Sequence, residues 1–343
     1  MENEISQRPL SQLSVWRYLK RIRTILLRVL FKRDPGHAVR SSGESVGLFL
    51  DPSKYRIPLN TMRLLGSFKC SLFAIVLVSI SLWLHPAAAA PSPDLWPRWQ
   101  ANSLKSTQTI DHNSWDMLLK KYLVTNHPSG INRFRYAAVS AADRQILKNY
   151  LEQLEKTSVT SLNQNEQKAF WVNVYNALTV QVILDHFPVK SIMDIGISPG
   201  LFNKGPWDAR LLKIEGEQLS LNDIEHRIIR PIYRDNRLHY ALNCASLGCP
   251  NLQPTAYTAA NMEQLLVKGA TDYINHPRGA KMVDGKLQVS SIYNWFQGDF
   301  GDSEQGVIRH LLQYLFEGNL ANTVRSYDKG LRYDYDWTVN AAE

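Results

Sequence analysis

An apolar stretch of helical length, residues 165–187, constrains the fold of this chain more than any other feature of the sequence. Apolar side chains occupy almost every face of the helix that it predicts, and Pro188 follows directly and ends it. A helix that is hydrophobic all round is buried, so the rest of the domain must enclose this one. Asn173 and Asn176 lie on one face of it, and each buried amide requires hydrogen-bond partners.

Helical spacing of apolar residues recurs in several segments around this central helix. Ser220 and Asp223 form a capping box, which predicts that another helix begins there. A short buried strand or helix is predicted at residues 238–242. The predicted helices, besides the central one, cover residues 111–124, 141–156, 220–229, 261–274 and 303–316.

Strand signals are fewer and lie near the C-terminus. Asp284-Gly285 predicts a hairpin within residues 281–289, and residues 331–339 alternate like a final strand. We therefore predict one α+β domain over residues 111–343, mainly helical with a small antiparallel sheet. Residues 91–110 are rich in Pro, Ser and Gln and are predicted to be a linker.

A signal peptide is predicted over residues 62–90. It begins with a short positive region at Met62, continues through 13 apolar residues at 72–84, and ends in a run of alanines. We expect cleavage after Ala89 or Ala90 and a periplasmic or secreted protein; an uncleaved membrane anchor is the alternative. A spanning helix needs about 20 apolar residues, so this run fits a signal sequence better.

Residues 1–61 precede the predicted signal peptide, which is unusual because such a peptide should begin the chain. One explanation is a start codon assigned too far upstream. The other is a genuine cytosolic extension, since apolar and basic residues alternate at helical spacing over residues 13–33, as in a helix that lies on a membrane surface.

The positive charge of the chain is confined to its N-terminal part. Residues 1–90 hold 13 of the 39 Lys and Arg and 5 of the 31 Asp and Glu, so residues 91–343 hold 26 of each. A domain without net charge lacks the electrostatic attraction that nucleic acids require, and a nucleic-acid partner is excluded. The only membrane contact predicted is through residues 72–84.

Residues 235–250 contain the densest group of reactive side chains, although no standard catalytic motif is present. A cysteine nucleophile needs a histidine to accept its proton and a third group to orient that histidine. Cys244 is the candidate nucleophile, with two candidate bases and two candidate orienting groups. The catalytic candidates are Cys244, His239, His226, Glu225 and Asn243. They predict an exported thiol hydrolase or acyl transferase that acts on an unidentified extracytoplasmic substrate.

Structural interpretations of the same residues stay open. Cys244 is flanked by apolar residues and could be a packed core cysteine, or it could form a disulfide with Cys249. Zinc is not predicted, because His226, His239 and the two cysteines match no zinc-site spacing. No cofactor is predicted. Leu221, Ile224 and Ile228 define the apolar stripe of their helix, and His226 lies nearly opposite, where it should face solvent or a cleft.

Two further hypotheses concern the polar and aromatic side chains. In the first, the protein is a non-catalytic binding module whose cleft holds a peptide, glycan or small molecule. Its binding candidates are Asn173, Tyr175, Asn176, Trp207 and Ser246. In the second, one buried hydrogen-bond network joins Asn173, Asn176, Glu225 and His239 and fixes the fold.

Three separated motifs give the chain a family resemblance. They are Phe170 to Ala177 (FWVNVYNA), Leu219 to His226 (LSLNDIEH) and His239 to Ser246 (HYALNCAS) with Cys249-Pro250. Together they resemble the domain of unknown function family numbered 547, over about residues 140–300 and more weakly to the C-terminus, where Tyr335-Asp336-Trp337 also suits it. The resemblance implies no agreed activity. It marks Asn173, Tyr175, Asn176, Glu225, His226, His239, Asn243, Cys244 and Cys249 as motif positions. The Cys and His content suggests a distant likeness to papain- or transglutaminase-type folds.

Overall fold

The computed structural model describes residues 91–200 and 204–342, which belong to a unit spanning Pro86–Glu343. The extension 1–61 and the predicted signal peptide 62–90 lie outside the described residues. The described α-helices are α1 (Asn113–Tyr122), α2 (Ala141–Glu155), α3 (Gln164–His186), α4 (Arg230–Tyr233), α5 (Met262–Ile274), α6 (Ile292–Trp295), α7 (Glu304–Leu312) and α8 (Asn319–Arg325). The described strands are β1 (Leu123–Val124), β2 (Arg133–Phe134), β3 (Leu212–Ile214), β4 (Glu217–Leu219), β5 (Ala280–Val283), β6 (Lys286–Ser290) and β7 (Arg332–Asp334).

Helix α3 is the central helix that its apolar sequence predicts. The Asn163 side chain caps it by accepting hydrogen bonds from the backbone N–H groups of Asn165 and Glu166. Almost every residue from Ala169 to Leu184 is buried, and α2 packs along it. Within the described ranges, no helix is both long and apolar enough to cross a membrane.

The strands form three small sheets in the described part of the chain, and the domain is α+β and mainly helical. The pairs β1–β2 and β3–β4 are antiparallel. The hairpin β5–β6 turns at Asp284 and Gly285, which both have positive φ, so the hairpin prediction is confirmed. Strand β7 pairs with β6 in parallel, which makes that sheet mixed rather than purely antiparallel. The predicted final strand 331–339 is also interrupted, because only its first part belongs to the sheet.

Two hydrophobic cores lie side by side in the described residues. The main core surrounds α3 and includes Trp99, Phe170 and Trp171. The second core lies between α5, α7 and the β5–β6 hairpin, and it includes Tyr240 and Tyr273. A short 3-10 helix, Asn236–Tyr240, passes from one core to the other, because its Leu238 packs in the first and its Tyr240 in the second. The cysteine-bearing residues follow immediately after this transition.

The first part of the predicted linker 91–110 packs against the domain and is not an extended, solvent-exposed segment. Trp99 is 1% exposed and meets Trp171 edge to face, with ring centroids 5.2 Å apart. The composition predicted a linker because Pro, Ser and Gln are common there, but its tryptophans bury enough apolar surface to hold the segment. Residues 91–96 are called the N-terminal strap below.

The segment predicted as helix 220–229 begins as predicted and then widens. Ser220 Oγ accepts from the Asp223 N–H at 3.1 Å, while Asp223 Oδ2 accepts from the Ser220 N–H at 2.9 Å, which is a reciprocal capping box. Residues Asp223–Ile229 are π-helical, and the Arg230 N–H bonds five residues back to Glu225 O.

The structure rules out solvent in the prediction that His226 faces solvent or a cleft, because His226 is 5% exposed. The apolar stripe is correct, since Leu221, Ile224 and Ile228 are all buried. The opposite face is covered as well: the Phe296 ring lies 5.8 Å from the His226 ring, and Asp94 N–H donates to His226 O.

Candidate functional site

Cys244 lies in a tight turn, residues 243–250, that we call the thiol turn. The Asn243 side chain spans this turn, because its Oδ1 accepts from the Ala245 N–H at 2.9 Å and its Nδ2 donates to Pro250 O at 2.9 Å. Ala245 has a φ of 56°, a left-handed conformation that costs a residue other than glycine ~1–3 kcal/mol. The amide of Asn243 therefore shapes the turn. It was predicted to orient an imidazole, but both of its polar atoms are hydrogen-bonded within the turn.

The thiol turn is fixed to the C-terminal segment by backbone hydrogen bonds. Leu247 N–H donates to Thr338 O and Gly248 N–H donates to Asp336 O, each at 2.8 Å. A side chain at Gly248 would lie 2.8 Å from the backbone nitrogen of Asp336, so only glycine allows this approach. The position of Cys244 is thus set by the backbone on both sides.

Cys244 is a free, half-buried cysteine, and hydrogen-bonding groups surround its sulfur. Its Sγ lies 2.9 Å from Tyr335 Oη and 3.4 Å from Ser246 Oγ. Ser246 Oγ donates to Tyr335 Oη at 3.0 Å, which leaves the tyrosine O–H free to donate to the sulfur. Tyr335 was not among the predicted site residues, although its motif was noted in the family resemblance.

Cys249 is hydrogen-bonded to Cys244 within the thiol turn. It is also free, it is buried, and its Sγ accepts a hydrogen bond from the Cys244 N–H at 3.0 Å. The hydrogen bond from the Cys249 thiol, and after it that from Tyr335, lowers the pKa of Cys244 against the effect of burial. Burial raises the pKa of Cys249 well above its usual range. Cys244 is therefore the cysteine that ionises first.

Side-chain hydrogen bonds from α3 join the three sequence motifs. Tyr175 donates its hydroxyl to Glu225 Oε2 at 3.0 Å, which joins the first motif to the second. Asn176, on the same helix, bonds to the backbone of Ala241 and Asn243, which joins the first motif to the third.

His239 forms a hydrogen-bonded pair with a residue far along the chain. Its Nε2 lies 2.7 Å from Asp299 Oδ2, and Arg230 Nε donates to the same oxygen at 2.6 Å. Burial alone would raise the pKa of Asp299, but the hydrogen bonds from His239 and Arg230 lower it to about 2. The carboxylate is therefore ionised and only accepts, so His239 donates from Nε2, and in the neutral imidazole the lone pair is on Nδ1. Phe296 stacks on this imidazole at a centroid distance of 4.3 Å.

His226 has the opposite arrangement of nitrogens. Arg230 Nη1 lies 3.0 Å from His226 Nδ1, and because a guanidinium only donates, Nδ1 must be unprotonated. Burial is the main cause that lowers the pKa of His226, which keeps it neutral with its proton on Nε2. Of the two predicted bases, only His239 has a carboxylate-oriented ring with a free lone pair. We call His226, Arg230, His239, Phe296 and Asp299 the imidazole cluster.

The described contacts of the Cys244 sulfur are with hydroxyl and thiol groups. Among the hydrogen bonds of the described residues, none joins the Cys244 sulfur to an imidazole. Half-buried aromatic rings pack around Tyr335, which bonds to the thiol. Trp295 and Trp337 contact the Tyr335 ring at centroid distances of 4.8 and 4.6 Å. Trp207, a predicted binding residue, contacts Trp337.

The two asparagines of α3 bind backbone groups of other segments. The hypothesis of one network that joins them to Glu225 and His239 is therefore not supported. Asn173 Nδ2 donates to Tyr257 O and its Oδ1 accepts from the Tyr257 N–H. Asn176 Nδ2 donates to Ala241 O at 2.9 Å and its Oδ1 accepts from the Asn243 N–H at 2.8 Å. Asn176 therefore anchors the start of the thiol turn to the central helix, while both amides are buried away from any ligand.

A cavity borders each half of the site. One of about 480 Å³ lies between the N-terminal strap and the imidazole cluster, where Arg230 and Asp299 line it. Another of about 250 Å³ is lined by Leu247, Gly248 and Tyr335 beside the thiol turn. In residues 91–200 and 204–342, no group of three or more His, Cys, Asp or Glu side chains is arranged to hold a metal ion.

The N-terminal strap completes the backbone of the π-helix. His226 O would bond to the N–H five residues on, but that residue is Pro231, which has none. Asp94 N–H donates to His226 O at 3.0 Å in its place, and Trp96 N–H donates to Arg227 O at 3.0 Å. The strap thereby satisfies buried carbonyls in the segment that carries Glu225 and His226.

The fold is an α+β domain that holds a free cysteine on a tight turn and an imidazole hydrogen-bonded to a carboxylate. Residues 159–274, about a third of the chain, match the model of a family described as "Protein of unknown function, DUF547", which confirms the predicted resemblance. This segment contains α3, the π-helix and the thiol turn, but neither Asp299 nor Tyr335.

Two curated proteins share a short similar segment with the chain. Glucose-6-phosphate isomerase of Anaeromyxobacter dehalogenans is 44% identical over 61 residues, which are 17% of this chain and 11% of that protein. The enzyme of the same name from Roseiflexus castenholzii is 45% identical over 60 residues, 16% of this chain and 11% of that protein. The chain spans about a tenth of the length of these relatives. No solved structure matches the chain significantly, so the papain- or transglutaminase-type likeness stays a prediction.

Proposed function

We propose that this protein is an extracytoplasmic thiol-dependent hydrolase or acyl transferase in which Cys244 is the nucleophile. One observation carries the proposal: Cys244 is a free, half-buried cysteine on a strained turn, and its sulfur is hydrogen-bonded to Tyr335 at 2.9 Å. A reactive cysteine needs a lowered pKa and access to solvent, whereas a structural one has neither.

The reaction follows from the placement of the protonated groups. The Cys244 thiolate attacks the carbonyl carbon of an ester, thioester or amide, and the C–S bond forms as the leaving group departs. Tyr335 donates a hydrogen bond to the sulfur before attack and holds it in position. Water or a second nucleophile then attacks the thioester and releases the thiolate.

His239 is the acid–base group in this proposal. Its ring is oriented by Asp299 in the manner of a catalytic triad, with Nδ1 available to accept a proton. Because it does not hydrogen-bond to the sulfur, the proton passes through one bridging water or the leaving atom of the substrate. His226 is assigned to positioning, since Arg230 occupies its unprotonated nitrogen.

The predicted signal peptide supports an extracytoplasmic location, and the balanced charge of residues 91–343 supports a substrate other than nucleic acid. The membrane is contacted only through residues 72–84 in this proposal. The substrate is an extracytoplasmic acyl compound.

The test uses p-nitrophenyl acetate and the full chain. We expect a burst of p-nitrophenolate equal to the protein concentration and an acetyl group on the peptide that contains Cys244. Cys244→Ser abolishes both, whereas the matched control Cys70→Ser retains them. If neither a burst nor an acetylated Cys244 is found, and iodoacetamide alkylates Cys244 no faster than free cysteine at pH 7, the proposal is wrong.

A non-catalytic binding module is the second candidate, and the half-buried rings of Trp207, Trp295, Tyr335 and Trp337 favour it. Such rings stack on sugars and other flat ligands. Tryptophan fluorescence titrated with tri-N-acetylchitotriose would show saturable quenching that Cys244→Ser leaves unchanged. The absence of any quenching argues against this candidate for glycans.

A further inference from the structure

The thiol turn contains two cysteines that differ in exposure and acidity. Cys244 is partly exposed, while Cys249 is 3% exposed and lies beneath it. Cys249 Sγ is 3.0 Å from the Cys244 nitrogen, and its thiol can turn toward Leu242 O at 3.5 Å or toward the Cys244 sulfur. One short turn thus holds an accessible thiol directly above a buried one.

We propose that Cys244 and Cys249 form a redox-active dithiol, in which Cys244 is oxidised by a hydroperoxide and Cys249 resolves the product to an intramolecular disulfide. This activity is separate from acyl transfer, although it uses the same sulfur. It depends on the accessibility of Cys244 and on its neighbour, and it does not require the acid–base groups of the imidazole cluster.

The chemistry balances in two steps. The Cys244 thiolate attacks the terminal oxygen of the hydroperoxide, the O–O bond breaks, and Cys244 becomes a sulfenic acid while the leaving alkoxide or hydroxide takes up a proton. The Cys249 sulfur then attacks the Cys244 sulfur, the S–O bond breaks, and the sulfenic oxygen leaves as water with the Cys249 proton. The two thiols lose two electrons, and the hydroperoxide is reduced to an alcohol or water.

The surroundings of the pair suit each step. Tyr335 Oη lies 2.9 Å from the Cys244 sulfur and, because it accepts from Ser246, its own O–H can stabilise a thiolate for the first step. The Asn243 amide closes the turn on Pro250 O, so Cys249 cannot swing away before the second step. The pKa of Cys244 is lowered and that of Cys249 is raised, so Cys244 is the attacking cysteine and Cys249 is the resolving one.

Oxidation would also stop the proposed acyl transfer, because a disulfide leaves no nucleophile at Cys244. A dithiol reductant would restore it. The full chain has a third cysteine, Cys70, and peptide mapping separates its reactions from those of the turn.

The experiment treats the reduced full chain with one equivalent of hydrogen peroxide, with dimedone present as a trap for sulfenic acid. We expect the wild type to lose two hydrogen atoms in mass, to yield a peptide in which Cys244 and Cys249 are linked, and to take up little dimedone. Cys249→Ser and Cys249→Ala should stop at the sulfenic acid and carry dimedone on Cys244. Dithiothreitol should reverse the wild-type product.

Other outcomes overturn the inference. They are an unreactive wild type, stable dimedone labelling of wild-type Cys244, oxidation only to sulfinic acid, or a disulfide between two chains. The wild-type mapping does not depend on whether the variants fold. A chain that forms the internal disulfide but gives no acetyl burst would refute only the proposed acyl transfer, and the reverse result would refute only the dithiol.

Discussion

The thiol turn and the imidazole cluster carry the reactive groups of the site, and different forces hold them in place. The thiol turn is fixed by backbone hydrogen bonds to residues 336–340 and by the neutral amides of Asn176 and Asn243. The imidazole cluster is fixed by a buried guanidinium and a carboxylate, Arg230 and Asp299. Neutral backbone contacts do not respond to pH or salt, whereas the charged contacts depend on the protonation of each member.

The largest difference should appear when the anchor of the thiol turn is removed. Asn176→Ala leaves Ala241 O and the Asn243 N–H without partners in the core, and we expect a loss of ~2–5 kcal/mol in unfolding free energy. Urea denaturation measures it. Asn149→Ala, at an exposed site on α2, is the matched control and should change stability little. Equal effects of the two substitutions would mean that the turn is not anchored by α3.

Lowering the pH should reduce the free energy of unfolding through the buried histidines, and the thiol turn should not contribute to this change. Burial lowers the pKa of His112 and of His310 from 6.5 to about 4, and it lowers that of His226. Between pH 6.5 and 4 the unfolded chain binds protons that the folded chain does not, so stability falls as pH falls. His112 alone contributes ~3 kcal/mol to this loss. Urea midpoints at pH 7.5 and 4.5 check the slope, and a flat profile would contradict the burial of these rings.

Removal of the carboxylate charge from the imidazole cluster should have a smaller and local effect. Asp299→Asn deprives Arg230 and His239 of their anionic partner, and we expect a loss of ~2 kcal/mol in stability. The pH profile for alkylation of Cys244 by iodoacetamide should not move. If that profile shifts as stability falls, the charges of the imidazole cluster act on the thiol turn, and the contrast between the two regions is wrong.

The smallest expected effect on stability, and the sharpest test of the thiol turn, comes from Tyr335→Phe. The substitution removes one hydrogen bond from the Cys244 sulfur and costs ~1 kcal/mol or less. Because that bond lowers the pKa of Cys244, the alkylation profile should shift to higher pH and slow several-fold at pH 7. Tyr333→Phe, two residues earlier on β7, is the control. An unchanged profile would show that Tyr335 does not stabilise the thiolate.

Local features of the fold could be predicted from the sequence, because their causes lie within a few residues. The central helix, the capping box of Ser220 and Asp223, and the hairpin at Asp284-Gly285 were all found where the pattern indicated. Each depends on hydrophobic periodicity or on a turn conformation that the residues themselves prefer.

The site was predictable in part, and what was missed depends on distant contacts. Asp299 is 60 residues from His239 and lies in no motif, so no sequence pattern could pair them. The burial of His226 was missed because the groups that cover it, Phe296 and the N-terminal strap, lie far from it along the chain. The amide roles of Asn176 and Asn243 also depend on which backbone comes near them in the folded state.

The missing N–H of Pro231 makes the first residues of the folded unit an essential part of it. A ribosome delivers Asp94 and Trp96 long before the carbonyls of His226 and Arg227 that they bind. Those contacts can form only after more than 130 later residues have been made, so the support of the imidazoles is a long-range contact. A chain shortened past Trp96 would therefore keep its thiol turn and lose the support beneath His226.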